Sequence, residues 1–445
     1  MVLGWKIRRK NNNHHGHKKN LQAMEVEIPN HFLCPISLDL MGDPVTLSSG
    51  ITYDRESIES WLESGNFTCP VTNQILRSFD QIPNHSLRKM IQEWGLENQK
   101  YGFQRIPTPR IPVVPMEVSE TLLSVEASAR RLDLLGCQEC LKKIQKWGAE
   151  SDRNRRCVVA NGAADVLSMA FECFAADSFE KNASVCEEIL SALSWMFPIR
   201  EVAQKHLGSE ASLRCMVWFL TRTDLYAKQN SISALEELLS YDKKHVEVLS
   251  NIEGVHEILI EFVRQKISPK ITKAALVLIF HMVSIPALEK VRSAFVEMGL
   301  VCLVLETLVE SLDEKSVSER ALGVLDGLFG CQEGRAKAYK NALSIPILVK
   351  KLLRVSNLAT EFSVSAIWKL CMNALVEQDK EELRSLVLVE ALQVGAFQKL
   401  LLIIQIGCGE ETKEKATELL KLFNPYRPEL ECIESVDFKS LQRSF

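Results

Sequence analysis

Two cysteines that each stand before a proline, Cys34-Pro35 and Cys69-Pro70, are the first residues here with chemistry to offer. A thiol can serve as a nucleophile or as a metal ligand, and each role asks for different neighbours. A cross-braced zinc fold needs about eight Cys/His ligands in close pairs. Residues 28–97 contain only His31, Cys34, Cys69 and His85, with no C-x-x-C pair, so no metal site is expected there. A nucleophilic thiol needs exposure and a base or positive field beside it. Both cysteines are flanked by apolar residues, and the following proline fixes an extended loop. The expected role is that of small buried side chains anchoring two loops.

The remaining candidates are weaker. Cys137 and Cys140 share one face of an expected helix and read as core or surface thiols rather than half of a metal site. Gly323, Gly327 and Gly330 lie inside a helical pattern with no Gly-Lys-Ser/Thr after them, which excludes a phosphate loop. Lys142-Lys143 and Arg153–Arg156 read as solvated helix faces. His14, His15 and His17 lie in a basic, aperiodic arm, where weak metal binding is the lesser reading. No cofactor is expected.

Two kinds of element must position these residues. Of 15 prolines in 445 residues, nine lie in residues 1–115, so a turn-rich front precedes a long helix-tolerant back. In the front, Pro44–Leu47 and Ile51–Tyr53 flank Ser48-Ser49-Gly50 as a hairpin. Asp54 is the expected N-cap of a helix with Ile58, Trp61 and Leu62 on one face and Gly65 as its stop. Asn84 is the expected cap of a second helix carrying Leu87, Ile91 and Trp94, the last a core residue. Four prolines, Pro107, Pro109, Pro112 and Pro115, favour an extended spacer.

Beyond the spacer, a small residue before an apolar helix start recurs at positions 162, 208, 254, 299, 344 and 395. The spacing is close to the ~40–47-residue period of armadillo and HEAT repeats. Helix pairs that cannot bury their apolar faces alone would stack into a solenoid, with Gly before the last helix of each unit and Glu410–Phe423 as a shortened cap. The expected fold is mostly α: a small α+β domain followed by an α-helical armadillo-type solenoid. The boundaries read as a basic disordered arm (1–24), the small domain (25–103), a proline-rich linker (104–118), repeats (119–425) and a tail (426–445).

A net charge of −4 gives no general attraction to nucleic acid. Lys6, Arg8, Arg9, Lys10, Lys18 and Lys19 crowd the first twenty residues with no acid, so the remainder is more acidic still. The longest apolar candidate, Ala274–Val283, is interrupted by His281 and too short to span a bilayer, so no integral membrane segment is expected. Met1–Trp5 runs into basic residues without a secretory core, and Val2 excludes N-myristoylation. The 13 cysteines are expected as reduced thiols, and the location as cytoplasmic, with a nuclear share open through Lys6–Lys10.

Residues 28–94 resemble a U-box, the module of one class of ubiquitin ligases. The resemblance rests on Ile28-Pro29, Phe32, Cys34-Pro35-Ile36-Ser37, Met41, Asp43-Pro44-Val45, Gly50, Thr52-Tyr53-Asp54-Arg55, Ile58, Trp61-Leu62 and Gly65. It continues through Cys69-Pro70, Thr72, Leu76, Ile82-Pro83-Asn84, Leu87, Ile91 and Trp94. With the repeats, the chain is similar to plant U-box/armadillo ligases, and its Met-Val-Leu-Gly-Trp-Lys start to the branch linked to stress and defence. The resemblance implies a platform for a ubiquitin-loaded conjugating enzyme built from Ile36, Leu38, Trp61, Pro70 and Asn73, with Trp61 equally suited to the core. It implies that polar contacts, among them those of Cys34, Asp43, Arg55, Cys69 and Thr72, with Ser48 and Ser49 as further candidates, hold two loops where zinc would otherwise sit. Asn73 stands where many relatives carry a cation, and Gln81 where Leu is common.

The armadillo groove is the expected dock for protein substrates, with no residue nominated. Importin-like ladders pair Trp with Asn four residues on, whereas Trp147, Trp195, Trp218 and Trp368 are followed by Ser151, Ile199, Arg222 and Met372, which argues against recognition of nuclear signals. A homodimer stays open. The alternative function is a non-catalytic armadillo adaptor with a degenerate U-box.

Overall fold

The computed structural model describes residues 28–99, 113–310, 314–377 and 381–426. The chain divides between Pro112 and Val113 into two compact units, each described here by itself. The arm (1–24), residues 104–112 of the linker and the tail beyond Tyr426 lie outside the described residues.

In the first unit, β1 (Pro44–Thr46) and β2 (Thr52–Asp54) form the expected antiparallel hairpin, with Val45 opposite Tyr53. A third strand, β3 (Ile82–Pro83), was not anticipated; it pairs with the other edge of β1 to give the order β2-β1-β3. Two residues ending in proline carry too little alternation to read as a strand. Helix α1 (Arg55–Glu63) and helix α2 (His85–Glu97) pack on a core of Phe32, Cys34, Met41, Val45, Leu47, Tyr53, Ile58, Cys69, Leu76 and Ile91. Trp94 packs against that core, edge-on to Phe32 at 6.1 Å.

Asn84 caps α2 as expected, its side chain accepting from the Leu87 N–H at 3.0 Å. Asp54 occupies the N-cap position of α1 but does not cap it. Its Oδ1 turns back to accept the Gly42 and Asp43 N–H groups at 2.8 and 2.9 Å. Two otherwise unpaired donors in the preceding turn outcompete the helix end for that carboxylate.

The second unit begins earlier than expected. Helix α3 (Pro115–Arg131) starts at Pro115, so the linker cannot extend to 118. Proline is suited to the first helical position, where its missing N–H is not needed and its φ is already helical. Helix α4 (Leu134–Glu150) completes a leading pair, opened by the Asp133 cap onto Gly136 N–H.

The repeats that follow are triplets, not pairs. They are α5 (Asp152–Ala160), α6 (Ala163–Ser178) and α7 (Ala183–Leu193), then α8 (Glu201–Leu207), α9 (Glu210–Thr221) and α10 (Leu225–Leu239). Next come α11 (Lys243–Ser250), α12 (Val255–Gln265) and α13 (Pro269–Ser284), then α14 (Glu289–Glu297), α15 (Leu300–Glu310) and α16 (Lys315–Leu328). The series closes with α17 (Gln332–Tyr339), α18 (Ser344–Lys351) and α19 (Asn357–Glu377), and with α20 (Glu381–Gln393), α21 (Ala396–Ile406) and α22 (Glu410–Phe423). Where the recurring glycine is present, it precedes the middle helix of the triplet rather than the last. Gly162, Gly254, Gly299 and Gly395 turn there with φ between 78° and 84°, a conformation that costs other residues sterically. The weakest sequence copy, Gly208, has φ −80° and makes no such turn.

The third helices stack in series, α4 on α7, α7 on α10, and onward to α22. One continuous apolar core runs from Val113 to Phe423. Cys137 and Cys140 are buried in it, and burial pushes the Cys137 thiol up to about 12. Gly323 sits inside α16, where a Cβ would meet Phe280 at 2.9 Å and Phe362 at 3.1 Å. These rings come from α13 and α19 and touch each other across α16 at 5.5 Å.

Candidate functional site

The first unit carries two loops with the same backbone frame. In loop 1 the Cys34 N–H donates to Asp39 O and the Leu38 N–H to Cys34 O, both at 2.8 Å. In loop 2 the Cys69 N–H donates to Gln74 O and the Asn73 N–H to Cys69 O, again both at 2.8 Å. A bridge closes each stem, Leu33 to Leu40 and Thr68 to Ile75. The tip residue of each loop is left-handed, Leu38 at φ 61° and Asn73 at φ 56°. Asparagine tolerates that region; leucine does so at a cost of about 1–2 kcal/mol.

Both cysteines are fully buried beneath these turns. Burial opposes ionisation of Cys34, but the N–H groups of Ser37, Asp54 and Ile36 and the Ser57 hydroxyl outweigh it and lower the thiol below its usual range. The Asp54 N–H lies 3.3 Å from Cys34 Sγ. Cys69 follows the same logic further. Burial resists, yet the Ser49, Thr72 and Tyr53 hydroxyls and the Thr72 N–H bring it down to about 6. The Tyr53 hydroxyl lies 3.0 Å from Cys69 Sγ. An acidic thiol is ordinarily a sign of reactivity; here zero exposure and the Tyr53 hydroxyl against the sulfur make it a structural group.

Asp43 gathers the surrounding charge. Its Oδ2 accepts from Arg55 Nε at 2.7 Å, and its Oδ1 pairs with Arg88. Arg55 Nη1 reaches Gln81 Oε1 at 2.9 Å, which gives the unusual Gln81 a role. Arg88 was missed by the sequence reading, although a cation three residues before Ile91 on the buried face of α2 is a usable signal for a hidden acid partner. Ser48 donates to Ser78 O at 3.1 Å, outside the cysteine clusters. Thr72 is exposed at its Cα position yet contributes to the Cys69 shell.

What the loops present outward is apolar. Leu38 is 56% exposed and Val71 52%, with half-buried Ile36 and Pro70 beside them in sequence and Asn73 exposed at the second tip. Val71 was not singled out by the sequence reading. Trp61 is half-buried against the core, and its Nε1 donates to Thr68 O at 2.9 Å. It therefore pins the stem of loop 2 to α1. Among the described residues, no three His, Cys, Asp or Glu side chains gather to hold a metal ion.

A two-loop αβ module of this kind, followed by helix triplets stacked into a solenoid, defines a U-box protein with an armadillo region. Residues 28–100 match the U-box domain family, and residues 117–443 match the plant U-box protein ARM repeat region. The chain is 44% identical over 425 residues to U-box domain-containing protein 21 of Arabidopsis thaliana, covering 95% of this chain and 94% of the relative. It is 41% identical over 430 residues to U-box domain-containing protein 20 of Arabidopsis thaliana, covering 95% and 94%. It is 34% identical over 443 residues to E3 ubiquitin-protein ligase PUB22 of Arabidopsis thaliana, covering 92% and 97%. The chain belongs to the plant U-box family with armadillo repeats, and is a ubiquitin transferase of that class.

Proposed function

We propose that this chain is a ubiquitin-protein ligase that works by docking rather than by covalent relay. The U-box holds a ubiquitin-loaded conjugating enzyme on Ile36, Leu38, Pro70, Val71 and Asn73, and the armadillo repeats hold the protein to be modified. The substrate lysine attacks the thioester carbonyl on the conjugating enzyme, the enzyme's thiolate leaves, and an isopeptide bond forms. Holding the reactants in register supplies the rate, since orientation alone can be worth about 7 kcal/mol or more. One observation carries this reading: each loop exposes an apolar side chain, Leu38 on the first and Val71 on the second, whereas both loop cysteines are fully buried and already hydrogen-bonded. Asn73 brings no positive charge, so any restraint on ubiquitin at that tip is a neutral hydrogen bond.

The test is reconstitution. Purified full-length chain, activating enzyme, a panel of conjugating enzymes, ubiquitin and ATP should build ubiquitin chains on the protein itself. Ile36→Ala or Pro70→Ala should abolish them while leaving the melting profile in place. Silence of the wild type across the whole panel would support the adaptor reading instead.

A further inference from the structure

We propose that Tyr53 is the positioning residue that couples the two docking loops and fixes the spacing of the platform. The proposal rests on the docking reading above and names the side chain that makes the platform one object rather than two.

Each loop is closed on itself by its own stem bridge, so neither stem sets where the other sits. Loop 1 is tied to the sheet through the Asp54 N–H and Cys34 Sγ. Loop 2 is tied to the same strand by the adjacent residue. Tyr53, fully buried on β2, places its hydroxyl 3.0 Å from Cys69 Sγ and within 3.4 Å of the Val71 N–H. Two consecutive residues of one strand thus hold one loop cysteine each.

The direction of the bonds follows from the donors. The Val71 N–H can only donate, so the Tyr53 oxygen accepts there, which leaves its O–H available to the Cys69 sulfur. The acidities agree: burial and the sulfur bond make Tyr53 hold its proton more tightly, while Cys69 releases its own more readily. Val71 is half-exposed, so a single buried hydroxyl holds both the sulfur beneath loop 2 and the inward-facing amide of a residue that the loop exposes. Tyr53 itself has no exposed surface and cannot touch the partner; its effect must pass through loop 2. Trp61 secures only the stem at Thr68 and does not reach the tip.

The experiment is Tyr53→Phe in the full-length chain, which removes one oxygen and keeps the ring in the core. Loss of the shared hydroxyl should raise the KM for the loaded conjugating enzyme about five- to tenfold, with kcat within about twofold. Amide hydrogen exchange should quicken at Val71 and Asn73 and stay unchanged at Leu38. In a Cys69→Ala background the same substitution should cost less than it does in the wild type, because the sulfur partner is already gone and only the Val71 N–H bond is left to lose. A KM within about twofold of wild type, uniform exchange across both loops, or effects of Tyr53→Phe and Cys69→Ala that multiply independently would each overturn the proposal. Should Tyr53→Phe fail to fold, Cys69→Ser against Cys69→Ala decides. Serine keeps an acceptor for the tyrosine and should restore docking, whereas equal loss in both would overturn the coupling. Ile36→Ala separates the two levels. If it abolishes chain formation while Tyr53→Phe does nothing, only the coupling fails; if it has no effect, the docking reading fails and the coupling with it.

Discussion

The U-box and the armadillo region hold their shapes by different physics. The repeats share one apolar core that passes from triplet to triplet, so each helix is stabilised by its neighbours. The U-box, about seventy residues long, cannot bury enough apolar surface to fix two loops by packing alone. It uses a carboxylate between two arginines and two buried sulfurs inside shells of donors. A core sustained by many similar contacts tolerates loss of one; a network with a few unlike members does not.

The largest effect expected from that difference is at Asp43. Asp43→Ala leaves Arg88 and Arg55, with side chains 11% and 16% exposed, without their shared partner. Breaking such a pair costs about 3–5 kcal/mol, comparable to the whole stability of a domain this small. Calorimetry should show the U-box transition lost and the solenoid transition in place. Loss of both together, or of neither, would break the comparison.

The reciprocal test lies in the repeats. A Cβ at Gly334, in the first turn of α17, would sit 2.1 Å from the Leu328 carbonyl oxygen, and backbone cannot step aside as a side chain can. Gly334→Ala should lower the solenoid transition, at a cost of about 1–3 kcal/mol. Below that transition, the U-box should still discharge a loaded conjugating enzyme onto free lysine at the wild-type rate. A slowed discharge would mean the two regions are not independent.

The smallest effect is the sharpest in sign. Leu38 is exposed and left-handed, a conformation leucine resists and asparagine accepts. Leu38→Asn should stabilise the U-box by about 1 kcal/mol while weakening conjugating-enzyme docking several-fold. Melting temperature and KM would both rise, stability gained and docking lost, as expected of a residue kept for contact at the expense of stability. A higher melting temperature with KM unchanged or lowered would remove Leu38 from the platform.

Much of this was legible in the sequence, and the misses have physical causes. The hairpin, both helices with the Asn84 cap, and the six repeat anchors follow from turn residues and periodicity that act locally. Glu410–Phe423 was recovered at both ends because Gly409 and Asn424-Pro425 bound it. In every triplet but the last, the first helix is only 7–9 residues long and too short to show a periodicity of its own, so three helices read as two. Asp54 was misjudged because its competing donors, Gly42 and Asp43, lie across the hairpin. In the site, Ile36, Leu38, Pro70 and Asn73 were nominated from loop position and resemblance. The Arg88–Asp43 pair and the exposure of Val71 were not, since they depend on a contact between residues distant in the chain and on which way a loop residue faces.

The central claim is that ubiquitin never rests on this chain's own loop thiols. The direct measurement is single-turnover discharge of a pre-loaded conjugating enzyme by wild type and by the Cys34→Ser/Cys69→Ser double variant, read on non-reducing gels with folding checked by melting. The account predicts discharge within a few-fold in the folded double variant and no reducible ubiquitin adduct on the wild-type chain. A thiol-sensitive adduct at Cys34 or Cys69, or a folded double variant that no longer discharges its partner, would contradict it.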